Sequence, residues 1–156
     1  MDDNEYMRRV RGMEGRLYRV AQAMLWRDAD ALDAVQEAVF TGWMKRSGLR
    51  DEARFEAWLM RILVNRCRDM LRGRKREAAL TVEPTAEDRM CEDLQLRLAL
   101  KKLPEKYRLP LVLHYMEGWP MAEVAELLRV PKPLAASRLR QARKALHALL
   151  DGGDER

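Results

Sequence analysis

Apolar residues in this chain recur every three or four positions, stretch after stretch, and nowhere alternate with polar ones between turn signals. Val10, Met13, Leu17, Val20, Ala21 and Met24 set the pattern; Phe55, Trp58, Leu59, Ile62, Leu63, Cys67, Met70 and Leu71 repeat it. A helical period gathers such residues on one face, so the chain must bury them by packing helix on helix. The fold class this dictates is all-α.

With 156 residues, 47% hydrophobic and 35% charged, there is material for one ordinary helical domain or two small ones. Eight Gly and six Pro are few enough to leave long helices unbroken. The distribution of charge favours two bodies. Residues 1–76 hold 17 Lys/Arg against 12 Asp/Glu, residues 77–99 two against six, and residues 100–156 11 against seven, giving +5, −4 and +4. Two basic modules flanking an acidic connector suit a polyanion gripped at two places.

Punctuation places the elements. After the first helix, the turn RDAD (27–30) leads into a second, with Asp30 as its N-cap and Ala31, Val35, Ala38, Val39 and Trp43 on its inner face. KRSGLRDEAR (45–54) has no period and reads as a loop. The long third helix begins at Phe55 and ends in RGRKR (72–76). EAALTVEPTAEDRM (77–90), with Pro84 among acids, reads as a linker. Helical spacing resumes with Leu94, Leu98 and Leu103; a further helix, KYRLPLVLHYMEG, is kinked where Pro110 lacks a donor and is closed by Gly118. Pro120 and Pro133 fit first-turn positions, where a missing N–H costs little, and DGGDER (151–156) reads as a frayed tail.

Several function classes fall away. The N-terminus MDDNEYMRRV is polar and acidic, unlike a secretory signal, and no apolar run approaches the roughly 18 residues of a membrane span. The expectation is a cytoplasmic protein without membrane insertion. Cys67 and Cys91 are far apart with no CxxC or His pairing, and His114 and His147 stand alone, so thiols in a reducing compartment are expected and no metal site. No Gly-rich phosphate loop, paired-carboxylate site or nucleophile motif is present; neither enzymatic activity nor a cofactor is expected.

The C-terminal part carries the most specific local pattern. Val124, Ala125 and Leu128 share a face of a short helix, a tight turn with Val130 comes next, and the helix after it turns Leu134, Leu139, Ala142 and Leu146 inward. Small Ala125 permits a close crossing and Val130 plugs the gap, the spacing of a helix-turn-helix. From Arg129 to His147 there are six Lys/Arg and no acid. A helical hairpin with a solvated basic face has the same period but no reason for that asymmetry.

Two motifs then combine. DALDAVQEAVFTGW (30–43), succeeded after a loop by FEAWLMRILVNRCRDMLRGRKR (55–76), resembles region 2 of the group IV, or extracytoplasmic-function, sigma factors. LPEKYRLPLVLHYMEGWPMAEVAELLRVPKPLAASRLRQARKAL (103–146) resembles their region 4. The resemblance implies two small helical domains, a region 2 bundle of three to four helices over 1–76 and a region 4 helix-turn-helix over 93–150. An acidic linker over 77–92 joins them, and a tail over 151–156 ends the chain. It also implies a dissociable initiation subunit of bacterial RNA polymerase, with no chemistry of its own. An autonomous helix-turn-helix repressor or activator, binding operators without polymerase, is the alternative.

Residue by residue, the resemblance implies that Asp33, Gln36 and Glu37, with Phe40 beside them, dock on the clamp helices of the polymerase β′ subunit. The acids Asp28, Asp30, Asp33 and Glu37 sit together in an otherwise basic module, which suits a basic protein surface; Asp28 and Asp30 also fit as capping acids. The loop 45–54 and third helix would open and read the −10 element and capture an extruded base, with Lys45, Arg46, Arg50, Arg54, Arg61, Asn65, Arg68 and Arg72 touching the strand. Phe55 and Trp58 could stack on bases, but their spacing with Leu59 and Ile62 places them in the core; Asn65 could equally tie helices together. Lys132, Ser137, Arg138, Arg140, Gln141, Arg143 and Lys144 would contact the −35 element from the major groove. The apolar helix near Leu109 to Tyr115 would embrace the β flap tip, and an anti-sigma factor occludes both modules in much of the family. The chain departs from the family in the helix-turn-helix turn: Arg129 stands where Gly is usual, Pro131 and Pro133 flank Lys132, and Ala136 replaces a frequent Lys. A first turn so poor in donors shifts the expected base readout to Arg138, Gln141 and DNA shape.

Overall fold

The computed structural model describes residues 1–75 and 94–154, which fall into two compact units. The linker read over 77–92, with Cys91 in it, lies outside the described residues, as do Arg76, Asp93 and the last two residues. Seven α-helices and no strand are found among the described residues. The first unit holds α1 (Asp3–Leu25), α2 (Asp28–Lys45) and α3 (Phe55–Lys75). The second holds α4 (Leu94–Lys102), α5 (Glu105–Leu111), α6 (Met121–Leu128) and α7 (Lys132–Asp154).

In the first unit, α1 starts at the third residue because Asp2 caps it. Its carboxylate accepts the Glu5 N–H at 2.8 Å, and Asp3 and Glu5 sit where the helix dipole favours negative charge. The helix stops at Trp26, whose backbone turns left-handed (φ 66°) so that its N–H reaches the Gln22 carbonyl at 2.9 Å. α2 begins two residues later at Asp28, so Asp30 lies in its first turn and is not the N-cap expected of it. Both of those acids are spent inside the unit. Asp28 accepts from the Tyr18 hydroxyl at 2.6 Å and from the Gln22 amide; Asp30 pairs with Arg74, which also donates to the Leu25 carbonyl at 2.7 Å. They brace the α1–α2 corner against the end of α3.

The buried face of α2 also differs from expectation. Ala31, Ala34, Ala38 and Gly42 face inward, a seam of small residues that lets α2 lie close to its neighbours, while Val35, Val39 and Trp43 are only half-buried. A Cβ on Gly42 would stand 2.5 Å from the Tyr6 hydroxyl and 3.0 Å from Leu59, so only glycine fits there. The core is filled instead by α1 and α3: Tyr6, Val10, Met13, Leu17, Met24, Phe55, Leu59, Met60, Leu63 and Cys67 are buried. Residues 45–54 are not featureless. They hold two one-turn 3₁₀ helices, Arg46–Gly48 and Glu52–Arg54, the second capped by Asp51 through the Ala53 N–H at 3.0 Å.

In the second unit, Ala99, Leu100, Leu103, Leu109, Leu111, Val112, Leu113 and Trp119 meet Val124, Leu127 and Leu128 of α6 and Ala135, Leu139 and Ala142 of α7. Leu94 and Leu98, expected inside, are half-buried, because α4 turns its Ala99–Leu100 edge inward. Leu134 is 41% exposed and its neighbour Ala135 is buried in its stead. Beyond Pro110 the chain loosens into a π turn, Val112–Met116, where the Glu117 N–H reaches back to the Val112 carbonyl at 3.0 Å. Proline withdraws one donor from the ladder, and the wider turn re-pairs the backbone groups beyond it. Gly118 (φ 77°) ends this stretch as expected. α7 extends through Asp154, into the stretch read as a tail from residue 151.

Candidate nucleic-acid interface and docking groove

Between α1 and α2 the surface opens into a groove of about 780 Å³, whose apolar walls include Met7, Val10, Leu32, Val35, Val39 and Phe40. It exists because α2 buries its small stripe and leaves its large one outside. Leu32 is 52% exposed, Phe40 64% and Met44 60%, a cluster of large apolar side chains that a protein normally buries against something. Of the four residues expected to dock on polymerase, Gln36 and Phe40 line this groove. Asp33 is exposed on the same helix, and Glu37 is half-buried and ion-paired with Arg66 of α3.

The residues expected on the −10 strand spread over the loop and α3. Lys45, Arg50, Arg54 and Arg61 are exposed. Arg61, Asn65, Arg68 and Arg72 succeed one another at steps of four, three and four along α3, one stripe of one face, with Asn65 and Arg68 half-buried. Arg72 pairs with Asp69 on its own helix. Arg46 is the exception in kind: it pairs with Asp3 at 3.0 Å, donates to the Trp43 carbonyl at 2.8 Å and stacks over the Trp43 ring. It holds the loop to α1. At the loop's other end Arg9 does the same, donating to the Glu52 carbonyl at 2.7 Å and to the Glu5 carboxylate at 2.9 Å above the Phe55 ring. Arg8 and Arg9 together hold the Glu5 carboxyl below its ordinary pKa. Neither anchor, Asp3 nor Arg9, is marked by periodicity, since both are polar residues on a helix surface. Phe55 is buried edge-on against Tyr6 at 5.7 Å, a core residue and not a platform for bases; Trp58 beside it is half-buried.

In the second unit, α6, the turn and α7 make the helix-turn-helix. The Val130 N–H closes on the Ala125 carbonyl at 3.1 Å, and Val130 is half-buried between the helices. Lys132, Arg140, Gln141, Arg143 and Lys144 are exposed along α7, and Ser137 and Arg138 are half-buried beside them. Arg143 lies over the Tyr115 ring at 5.4 Å, so it is shared between the basic face and the edge of the π turn. The stretch expected to embrace the polymerase flap is largely inward: Leu109, Leu111, Val112 and Leu113 are core, and only Tyr115 (51%) and Met116 (56%) stand out. Arg108 is the feature sequence reasoning missed. It is buried and donates to the Leu103 carbonyl at 2.8 Å, and burial pulls its pKa down to about 10. Arg129 occupies the left-handed conformation (φ 58°, ψ 43°), which costs a non-glycine residue about 1–2 kcal/mol.

A helical unit with an exposed apolar groove, and a second built as a basic helix-turn-helix, define a DNA-binding class of protein. Comparison with known proteins identifies that class. Sigma-70 region 2 matches residues 9–77 and sigma-70 region 4 matches residues 93–146. The ECF RNA polymerase sigma factor SigM of Mycobacterium tuberculosis is 33% identical over 140 residues, covering 86% of this chain and 71% of that protein. The fold is also that of the sigma factor RpoE in its complex with the anti-sigma factor NepR from Bartonella quintana (TM-score 0.80, 21% identity, 94% of this chain and 97% of that one). CnrH in complex with the cytosolic domain of CnrY gives a TM-score of 0.75 at 24% identity, over 97% and 90% of the two chains. The chain belongs to the extracytoplasmic-function RNA polymerase sigma factors, a family of transcription initiation factors.

Proposed function

We propose that this chain carries bacterial core RNA polymerase to one class of promoters, docking through the α1–α2 groove and gripping two promoter elements. The groove carries the reading. A protein that bound operators alone would have no use for Leu32, Phe40 and Met44 held out in water beside Gln36 and Asp33. A helical partner laid along the groove, as the β′ clamp helices would be, covers these side chains and leaves the α3 stripe uncovered. Arg61, Asn65, Arg68 and Arg72, with Lys45, Arg50 and Arg54 of the loop, then face the opened −10 strand, and α7 enters the major groove at −35. Tyr115 and Met116 are the residues left to meet the β flap. An anti-sigma partner, of the kind seated on RpoE and CnrH, would act by covering the same groove and basic faces. The proposed partner, core polymerase, would put the site of action in the cytoplasm. Among the described residues no helix is long and apolar enough to cross a membrane.

The test is transcription in vitro from a randomised promoter library with core polymerase, with and without the chain. Recovered templates should share two short motifs and depend on the chain. No enrichment, or tight sequence-specific binding by the chain without polymerase, would overturn the reading.

A further inference from the structure

The turn of the helix-turn-helix holds a residue in a conformation its side chain disfavours. Arg129 is exposed, sits at φ 58°, and its N–H is bonded to the Glu126 carbonyl at 3.2 Å, so the backbone is fixed there by the helix end and the Val130 closure. Glycine would take this geometry without strain. Its guanidinium meets no partner among the described residues, and no acid comes after it as far as His147. A guanidinium held out from a fixed, strained backbone position is available for a contact made outside the chain.

The neighbouring backbone says which ligand. A helix entering the major groove ordinarily offers the free N–H groups of its first turn to the phosphates along the groove edge. α7 has almost none to offer. Pro131 and Pro133 have no N–H, and those of Leu134 and Ala135 both close on the Pro131 carbonyl, at 3.0 and 3.1 Å. Only the Lys132 N–H remains in that turn. The anion grip at this helix end therefore falls to side chains, and the chain must pass the phosphate rim of a groove about 12 Å wide as it enters. Arg129 is an exposed cation at that passage, as is Lys132 beyond it.

We propose that Arg129 is a DNA-backbone ligand: it contacts a phosphate at the edge of the groove that α7 enters, replacing backbone donors lost to Pro131 and Pro133. The inference rests on α7 being the groove helix. It assigns Arg129 to affinity and register, and not to sequence readout.

A phosphate contact acts on any duplex, so the test needs no promoter. The full chain is titrated with two 30-base-pair duplexes of unrelated sequence at several salt concentrations, alongside Arg129→Gly, Arg129→Asn and Arg129→Lys. Arg138→Ala reports on α7, and Arg11→Gln, an exposed arginine on α1, reports on loss of charge alone. Gly and Asn tolerate the left-handed turn, so neither variant should melt below the parent. Both should nevertheless bind both duplexes about five- to tenfold more weakly, with the salt slope reduced by about one, while Arg129→Lys keeps most of the affinity. Affinity and slope equal to the parent, or a loss no greater than that of Arg11→Gln, overturn the inference. If Arg138→Ala weakens binding and the Arg129 variants do not, the inference alone fails. If neither changes binding, or the parent binds no duplex even at low salt, the placement of α7 in the groove fails with it.

Discussion

Tyr6 is where the first unit closes. Its ring is fully buried, edge-on to Phe55, and its hydroxyl donates to the Val39 carbonyl at 2.5 Å across the small seam of α2. Burial pushes the phenol up to about 12, with the Arg46 guanidinium pulling weakly the other way. The fold therefore accepts only the neutral ring. Stability from this group is complete below pH 10, the ordinary phenol value, and is lost as pH rises through about 12. Titration monitored at the tyrosinate absorbance should show one of the four tyrosines ionising last, and Tyr6→Phe should abolish that step. The variant should also cost about 1 kcal/mol at neutral pH, the hydrogen bond it removes. Identical titrations of the two proteins would refute the assignment. Gly42→Ala probes the same contact from the other side. Its new methyl meets a hydroxyl held by Val39 and a fully buried Leu59, so a loss of about 1–3 kcal/mol is expected in thermal unfolding. Tyr6 continues the four- and three-residue steps of Val10, Met13 and Leu17 back into a polar, acidic stretch, whereas Gly42 was not legible, because a glycine carries no apolar signal.

At the scale of the element, α2 shows what a hydrophobic pattern can and cannot say. Two stripes run along it, Ala31–Ala34–Ala38–Gly42 and Leu32–Val35–Val39–Phe40, and both read as apolar at helical spacing. The larger stripe is the natural choice for a core. The smaller one is buried because close approach of α2 to Tyr6 and Leu59 leaves no room for a Cβ at Gly42, and the larger one is left at the surface with Leu32 and Phe40 exposed. The same logic misplaced Leu134, where Ala135 takes the inward position. Helix existence, the helix-turn-helix and the Gly118 stop were legible, because period, glycine and proline act locally. The tethering of loop 46–54 by Asp3 and Arg9 was not, since it joins polar residues far apart in the chain. Leu32→Ser with Phe40→Ser should weaken association with core polymerase by tenfold or more, as loss of central apolar contacts does, while the melting temperature stays nearly unchanged. Unaltered association, measured by fluorescence competition for core, would remove the groove as the dock. The pair is a cleaner probe than Gln36 with Glu37, because Glu37 also binds Arg66 within the unit.

At the scale of the whole chain, the charge map of the sequence separates two basic bodies by an acidic stretch, and the chain falls into two compact units. What sequence could not reveal is that the acids Asp28, Asp30 and Glu37 in the first body have internal partners, which leaves Asp33 the exposed one on that helix. On the proposed function, two weak grips carried by one chain on one polymerase would act as a single strong one, since engagement of the first sets the effective concentration of the second. That coupling depends on phase, because DNA turns once in about 10.5 base pairs. Inserting five base pairs between the two promoter elements turns the −35 element to the far side of the duplex. Transcription in vitro should then fall to the level given by scrambling the −35 element outright, and no lower, since the −10 contacts are untouched. Arg138→Ala should lower transcription from the parent promoter and leave the inserted one unchanged, as the contact it removes is already lost there. A chain that bound its sites independently of polymerase would show the opposite: the insertion would leave each element bound as before, and Arg138→Ala would weaken both templates alike.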